Sequence, residues 1–194
     1  MLNFLEWPVI GSGTERVCYR NPHDPLRCIK VSKKSKSKQT RRELSYYSYL
    51  SKRDVSYSHI PNFYTKVDEG DYLGLEMEFI CNPDGSSAPD LHKFLKRPLS
   101  NKDVAAIQAA LAELKRYLII NNIVPCDLVL SNFLVLCQPE GLKVMMVDGL
   151  GAAELFPLAN YIPFLGKKKI ERKWHKFMVE RINPTIEEYL DVSN

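Results

Sequence analysis

The periodicity of the chain changes at Asn82 to Pro89, a stretch of Pro, Gly, Ser and Asn that breaks any regular element. Before it, apolar residues come in short runs separated by turn residues, the mark of strands; beyond it they recur at helical spacing. With 194 residues and 45% hydrophobic content, the chain is long enough for one packed domain made of two small lobes, residues 1–81 and 82–194. The expected class is α+β.

Three strands are expected at Phe4 to Ile10, Arg16 to Arg20 and Leu26 to Val31, followed by a helix over 37–53 that carries Tyr46, Tyr47 and Leu50 on one face. Asp68-Glu69-Gly70-Asp71 divides Asn62 to Val67 from Tyr72 to Phe79, so these runs read as a hairpin. The first lobe therefore holds a five-stranded antiparallel sheet with one helix. In the second, Ser100 and Asp103 begin a capping-box-like S-x-x-D ahead of Val104, Ile107, Leu111, Leu114 and Leu118. A second hairpin pairs Phe133 to Cys137 with Leu142 to Val147, and a helical stretch runs from Lys167 to Arg181 and ends before Pro184, with room for a short helix after it.

Several chemistries are disfavoured. The five cysteines include no C-x-x-C pair and the four histidines lack metal-ligand spacing, so neither zinc nor thiol redox chemistry is expected. No apolar run reaches the ~20 residues of a membrane span, and a cytoplasmic protein is expected. The formal charge of +4 is concentrated in Lys33, Lys34, Lys36 and Lys38 and in Lys167, Lys168, Lys169, Arg172 and Lys173. Both clusters read first as solvated faces and second as contacts for nucleic acid or phospholipid. Nucleic acid is the weaker option, because no stacking aromatics are interleaved with the lysines.

Five features in chain order meet the needs of phosphoryl transfer, which asks a protein to position phosphates, a cation and an attacking oxygen. Gly11-Ser12-Gly13 lies between two strands, where glycines let backbone approach phosphate oxygens; a tight turn would use them equally well. Lys30 sits mid-strand among apolar neighbours, within reach of phosphates or of solvent. Glu43 shares a helix face with Tyr46, Tyr47 and Leu50, and a carboxylate on an apolar stripe needs a cation, for which Lys30 is the natural partner. Asn132 precedes the second hairpin and Asp148 follows it, so the two oxygen ligands meet at its open end, as a magnesium site requires. Asp127, five residues before Asn132, is placed to accept a hydroxyl proton; the other reading makes Asp127 and Asn132 loop residues bonded to their own backbone and Asp148 a turn residue before Gly149.

In this order, G-x-G, I-K, a helical Glu, D-x-x-x-x-N and D-G resemble the protein-kinase-like superfamily. A closer resemblance is to the small bacterial YrbL family, named for the PhoP regulatory network, through Ile10 to Gly13 with Glu15-Arg16, Cys28 to Val31, Ile60-Pro61, Glu113 to Leu118, Asp127 to Asn132 and Val147 to Gly149. The resemblance implies a two-lobed kinase-like fold with a reduced, mainly helical second lobe. It also implies ATP and Mg2+ as cofactors, an activating Lys30–Glu43 pair, and nucleotide contacts from Gly11, Ser12, Gly13, Met77, Glu78 and Ile80. Asp127 would be the base, with Asn132 and Asp148 as the metal ligands.

The chain departs from the kinase pattern at Arg16, which stands in place of the third glycine, at Pro125-Cys126 in place of His-Arg, and at Gly149 in place of the aromatic of D-F-G. Only 46 residues follow Asp148, too few for a peptide-docking platform. The expected function is transfer of the γ-phosphoryl of Mg-ATP to the hydroxyl of a small molecule, sugar or protein. The alternative is a nucleotide-binding regulator without transfer activity.

Overall fold

A computed structural model describes residues 3–151 and 158–190. The chain divides into two compact units, Met1–Tyr57 with Pro61–Ile80, and Ser58–Ile60 with Cys81–Asn194.

The first unit is built on five antiparallel strands, β1 (Val9–Ser12), β2 (Val17–Arg20), β3 (Arg27–Lys33), β4 (Phe63–Glu69) and β5 (Tyr72–Glu78), in the order β1-β2-β3-β5-β4. The helix α1 (Lys38–Leu50) accompanies them. Side chains alternate across β3. Cys28, Lys30 and Ser32 point to the α1 side, where the Ser32 hydroxyl lies 2.8 Å from Thr40 Oγ1. Ile29 and Val31 point the other way, into a cluster with Phe4, Trp7 and Val67.

That cluster explains a departure from expectation: Phe4 to Ile10 is not one strand. Phe4 and Trp7 are buried three residues apart, a spacing no strand can place on one face, so Phe4–Glu6 coils into a 3-10 turn and the strand starts only at Val9.

The second unit contains the helices α2 (Leu91–Leu95) and α3 (Asn101–Ile120), the hairpin β6 (Phe133–Gln138) with β7 (Gly141–Met146), and the helices α4 (Leu158–Tyr161), α5 (Pro163–Phe177) and α6 (Asn183–Tyr189). Both halves of the capping box form at the start of α3: the Asp103 amide donates to Ser100 Oγ, and the Ser100 amide donates to Asp103 Oδ2. Ile107, Leu111, Leu114 and Leu118 of α3 are buried, as are Phe133, Val144 and Met146 of the hairpin and Ile170, Trp174 and Phe177 of α5. His59 is a packing residue, with Nδ1 at 2.8 Å from the Val144 carbonyl and its ring beside Tyr117.

The expected break before Pro184 is a widened turn, and the short helix after it forms. A π turn at Met178–Ile182 follows α5, and α6 then starts with Pro184 in its first turn. Proline lacks an amide hydrogen and crowds the carbonyl four residues back, and a widened turn relieves both. Among the described residues, no helix is long and apolar enough to cross a membrane.

Candidate functional site

In the first unit, Glu43 is 3% exposed on α1 and faces two cations. Lys30 Nζ lies 3.7 Å from Oε1, as the apolar stripe around Glu43 leads one to expect. Arg16 is the partner the sequence does not announce: buried, it donates Nη1 to Oε2 of the same carboxylate. Arg16 therefore ties its loop to the helix. Its neighbour Glu15 also binds the helix, Oε1 accepting the amides of Gln39 (2.8 Å) and Thr40 (3.1 Å) where Ser37 supplies no side-chain cap. A carboxylate there satisfies donors that helix geometry leaves open and opposes the helix dipole. Two adjacent residues thus fasten the β1–β2 turn to α1.

That turn is closed by the Gly13 amide donating to the Arg16 carbonyl at 2.8 Å. Gly11, opposite Cys18, and Lys30, also opposite Cys18, share one face of the sheet two strands apart, about 10 Å. A Cβ on Gly11 or Gly13 would meet nothing closer than 3.9 Å, and neither glycine has the left-handed backbone that excludes other residues. The fold itself needs glycine at neither position. Ser12 ends β1, whose four residues are all exposed.

Met77 lies on the α1 side of the sheet opposite Cys28 and is fully buried. The Glu78 carboxylate is held by Asn62, which donates its amide (3.1 Å) and Nδ2 (2.8 Å) to Oε2. Ile80, the last residue of the unit, is buried. The Cys28 thiol lies well above the usual thiol range because of its hydrogen bond with Cys18 and its burial.

In the second unit, Asp127, Asn132 and Asp148 are drawn together at the open end of the β6–β7 hairpin. Beyond the last strand pair, Phe133 with Met146, the Val147 amide donates to the Asn132 carbonyl at 2.8 Å. Asn132 Nδ2 donates to the Asp127 carbonyl at 3.3 Å, which leaves its Oδ1 as the atom able to meet a cation. The Cys126 and Asp127 amides both point to the Gly149 carbonyl, at 2.7 and 3.4 Å. Asp148 is therefore bracketed by two residues that touch Asn132 or Asp127, and its Oδ1 accepts the Gly149 amide at 2.6 Å.

Gly149 is required here. Its φ is +77°, and a Cβ would stand 2.5 Å from the Asp127 carbonyl oxygen and 2.6 Å from Asn132 Nδ2. Gly149 is thus the residue that lets the loop and the hairpin close on each other.

One further residue of this site was hidden in a charge run. Lys173, on α5, donates Nζ to the carbonyls of Pro125 (3.0 Å) and Cys126 (2.5 Å), the pair that precedes Asp127. An ammonium carries three donors, and two here hold down the loop ahead of Asp127. The spacing of buried residues on α5 gives the only sequence signal: Lys173 adjoins Trp174 on the inward side of the helix.

The donors fit magnesium: one amide oxygen and one carboxylate are hard ligands, and magnesium keeps few protein ligands besides water and phosphate. Among the described residues, no three His, Cys, Asp or Glu side chains group closely enough to hold a metal by themselves.

The family model for PhoP regulatory network protein YrbL matches residues 2–181. The chain belongs to the YrbL family. It is 32% identical over 185 residues to the uncharacterized protein YrbL of Escherichia coli (strain K12), covering 93% of this chain and 88% of the relative. The YrbL protein of Shigella flexneri matches to the same extent. Every residue of the site, Lys173 included, falls inside the span of the YrbL model.

Proposed function

We propose that this YrbL-family chain is a protein-kinase-like phosphotransferase with a two-lobed fold, using Mg-ATP and a hydroxyl acceptor. Lys30, held by Glu43, would meet the phosphates; Asn132 and Asp148 would hold magnesium, which when bound neutralises charge on the phosphates. Asp127, exposed in its loop, would take the proton of the acceptor hydroxyl. The observation that carries this reading is the convergence of Asp127, Asn132 and Asp148 on Gly149, a position that accepts no side chain. Gly11 and Gly13 support it, since an exposed backbone with glycines that the fold does not require suits close approach by phosphate.

Thermal scans with ATP, GTP or neither, each with and without magnesium, test the binding step. At ligand 100-fold above Kd, stabilisation of about 2.7 kcal/mol raises Tm by about 5–10 °C. Transfer is tested with Asp127→Asn, expected to lower turnover by about 10²–10⁴-fold with nucleotide affinity nearly unchanged. Equal turnover in variant and parent refutes the base.

The arrangement of Glu43 supports a second reading, a nucleotide-binding regulator without transfer. Arg16 hydrogen-bonds Oε2, whereas Lys30 stands 3.7 Å from Oε1, so the pair that orients Lys30 is shared. A shift in Tm with ATP, without magnesium-dependent loss of γ-phosphate, would select this reading.

A further inference from the structure

Twelve large apolar side chains of the described residues are exposed, and five of them, Leu158, Tyr161, Ile162, Phe164 and Leu165, fall within eight consecutive residues. Tyr161 and Phe164 are each 63% exposed. Soluble surfaces carry scattered apolar residues routinely, but a concentrated group marks a contact surface.

The segment is a built corner. α4 ends at Tyr161, Ile162 is extended (φ −110°, ψ 102°), and Pro163 opens α5 in the position where its missing amide costs nothing. Its inner side is fastened: Asn122 Nδ2 donates to the carbonyls of Ala159 (3.2 Å) and Asn160 (2.9 Å), and Gly166 packs so closely that a Cβ would collide with Asn122 Oδ1. Ala159, Asn160 and Gly166 are buried, so the apolar side chains between them have only the outward direction.

Immediately behind the apolar corner, the outward face of α5 is basic. Lys167, Lys168, Arg172 and Lys176 are exposed, with Lys168 Nζ 4.4 Å from the centre of the Phe164 ring. The carboxylates on this segment are half-buried Glu171 and Glu180, the latter 3.8 Å from Lys176. Lys167, Lys168 and Arg172 thus form a cationic band beside five apolar side chains.

We propose that this corner docks on the surface of an anionic lipid bilayer, Leu158, Tyr161, Ile162, Phe164 and Leu165 entering the interface while Lys167, Lys168 and Arg172 lie against headgroup phosphates. This arrangement, apolar residues at one side and cations at headgroup height, is that of an interfacial segment. RNA fits less well, because single strands stack bases on rings interleaved with cations, whereas three of these five side chains are aliphatic and all precede the basic band. A second copy of the chain also fits less well, since a two-fold contact brings each basic band toward its own copy. The proposal stands independently of the nucleotide reading.

The test is sedimentation of the full chain with vesicles of phosphatidylcholine alone or with about 30% phosphatidylglycerol. Strong preference for the anionic vesicles is expected. Joint replacement Lys167→Ala, Lys168→Ala and Arg172→Ala should weaken binding about 100-fold, from about fivefold per cation. Tyr161→Ser with Phe164→Ser should abolish it at the same lipid concentration, while both sets keep the parental melting curve. Phe164→Trp supplies a direct readout: its emission should shift to the blue with anionic vesicles only. No binding of the parent to anionic vesicles, or parental binding by both multiple variants, overturns the proposal. So does RNA binding or self-association that depends on these residues without vesicle binding.

Discussion

Replacing Arg16 by Met separates the two cations that meet Glu43. The Glu43 side chain is 4% exposed and that of Arg16 8%, so the substitution leaves a desolvated carboxylate without its hydrogen-bonding partner. Breaking a buried pair from one side costs about 3–5 kcal/mol. Lys30 cannot make up this loss from 3.7 Å. Its own attraction to Glu43 is about 4 kcal/mol at an effective dielectric constant near 20, mostly cancelled by the desolvation of the ammonium, so Lys30→Met should cost about 1 kcal/mol or less. Urea titration followed by circular dichroism reads the difference directly. With a slope of about 2 kcal/mol/M, Arg16→Met moves the midpoint down by about 1.5–2.5 M and Lys30→Met by about 0.5 M. If the chain binds ATP as proposed, the ligand response should invert, Lys30→Met losing a rise in Tm with ATP that Arg16→Met retains in part. A Lys30→Met variant less stable than Arg16→Met would refute this division of labour.

Gly149→Ala should cost about 2–4 kcal/mol, combining the left-handed backbone with overlap onto Asp127 and Asn132, and a midpoint within error of the parent would refute the packing argument. Lys173→Met should lower stability by about 1–2 kcal/mol and speed hydrogen exchange of the Cys126 and Asp127 amides selectively; unchanged exchange there would count against the anchor. The Ser100 hydroxyl, with its amide and Arg97, holds the Asp103 carboxyl below its ordinary range. A depressed folded value gives stability that is present above the unfolded carboxylate range near 4 and lost as pH falls through the folded value. The first turn of α3 should therefore lose exchange protection in acid, and Ser100→Ala, costing about 1 kcal/mol, should weaken that dependence while the amide and Arg97 keep part of it.

Features carried by local pattern were legible in the sequence. Alternation in Leu73, Leu75, Met77 and Phe79 marks β5, although the strand ends at Glu78, the Gln138-Pro139-Glu140-Gly141 break marks the second hairpin, and Ser100 with Asp103 marks the start of α3. Glu43 points to a cation because its helix stripe is apolar. Arg16 was illegible because its partner lies 27 residues away and nothing in the intervening chain fixes the distance. Phe4 and Trp7 read as strand residues because both are large and apolar, and only their common burial reveals a spacing of three. The helix α2 is a single turn; Asp90, which accepts the Lys93 amide, was its one signal. Lys173 was concealed by its neighbours, since in a run of cations the inward one looks like the rest.

The widened turn at Met178–Ile182 also resets which side chains the end of the chain can bury. Counting in steps of three or four from Ile170, Trp174 and Phe177 leads to Arg181, yet the buried residues are Ile182 and Ile186. One extra residue in the coil has shifted the inward stripe by a single position. Removing one residue from this turn would return the coil to ordinary α-helical spacing with Ile182 and Ile186 still on the inward stripe, and Pro184 would then crowd the turn before it, whereas adding one would rotate everything after it by about 100°. This stretch should thus tolerate the loss of one residue better than the gain of one.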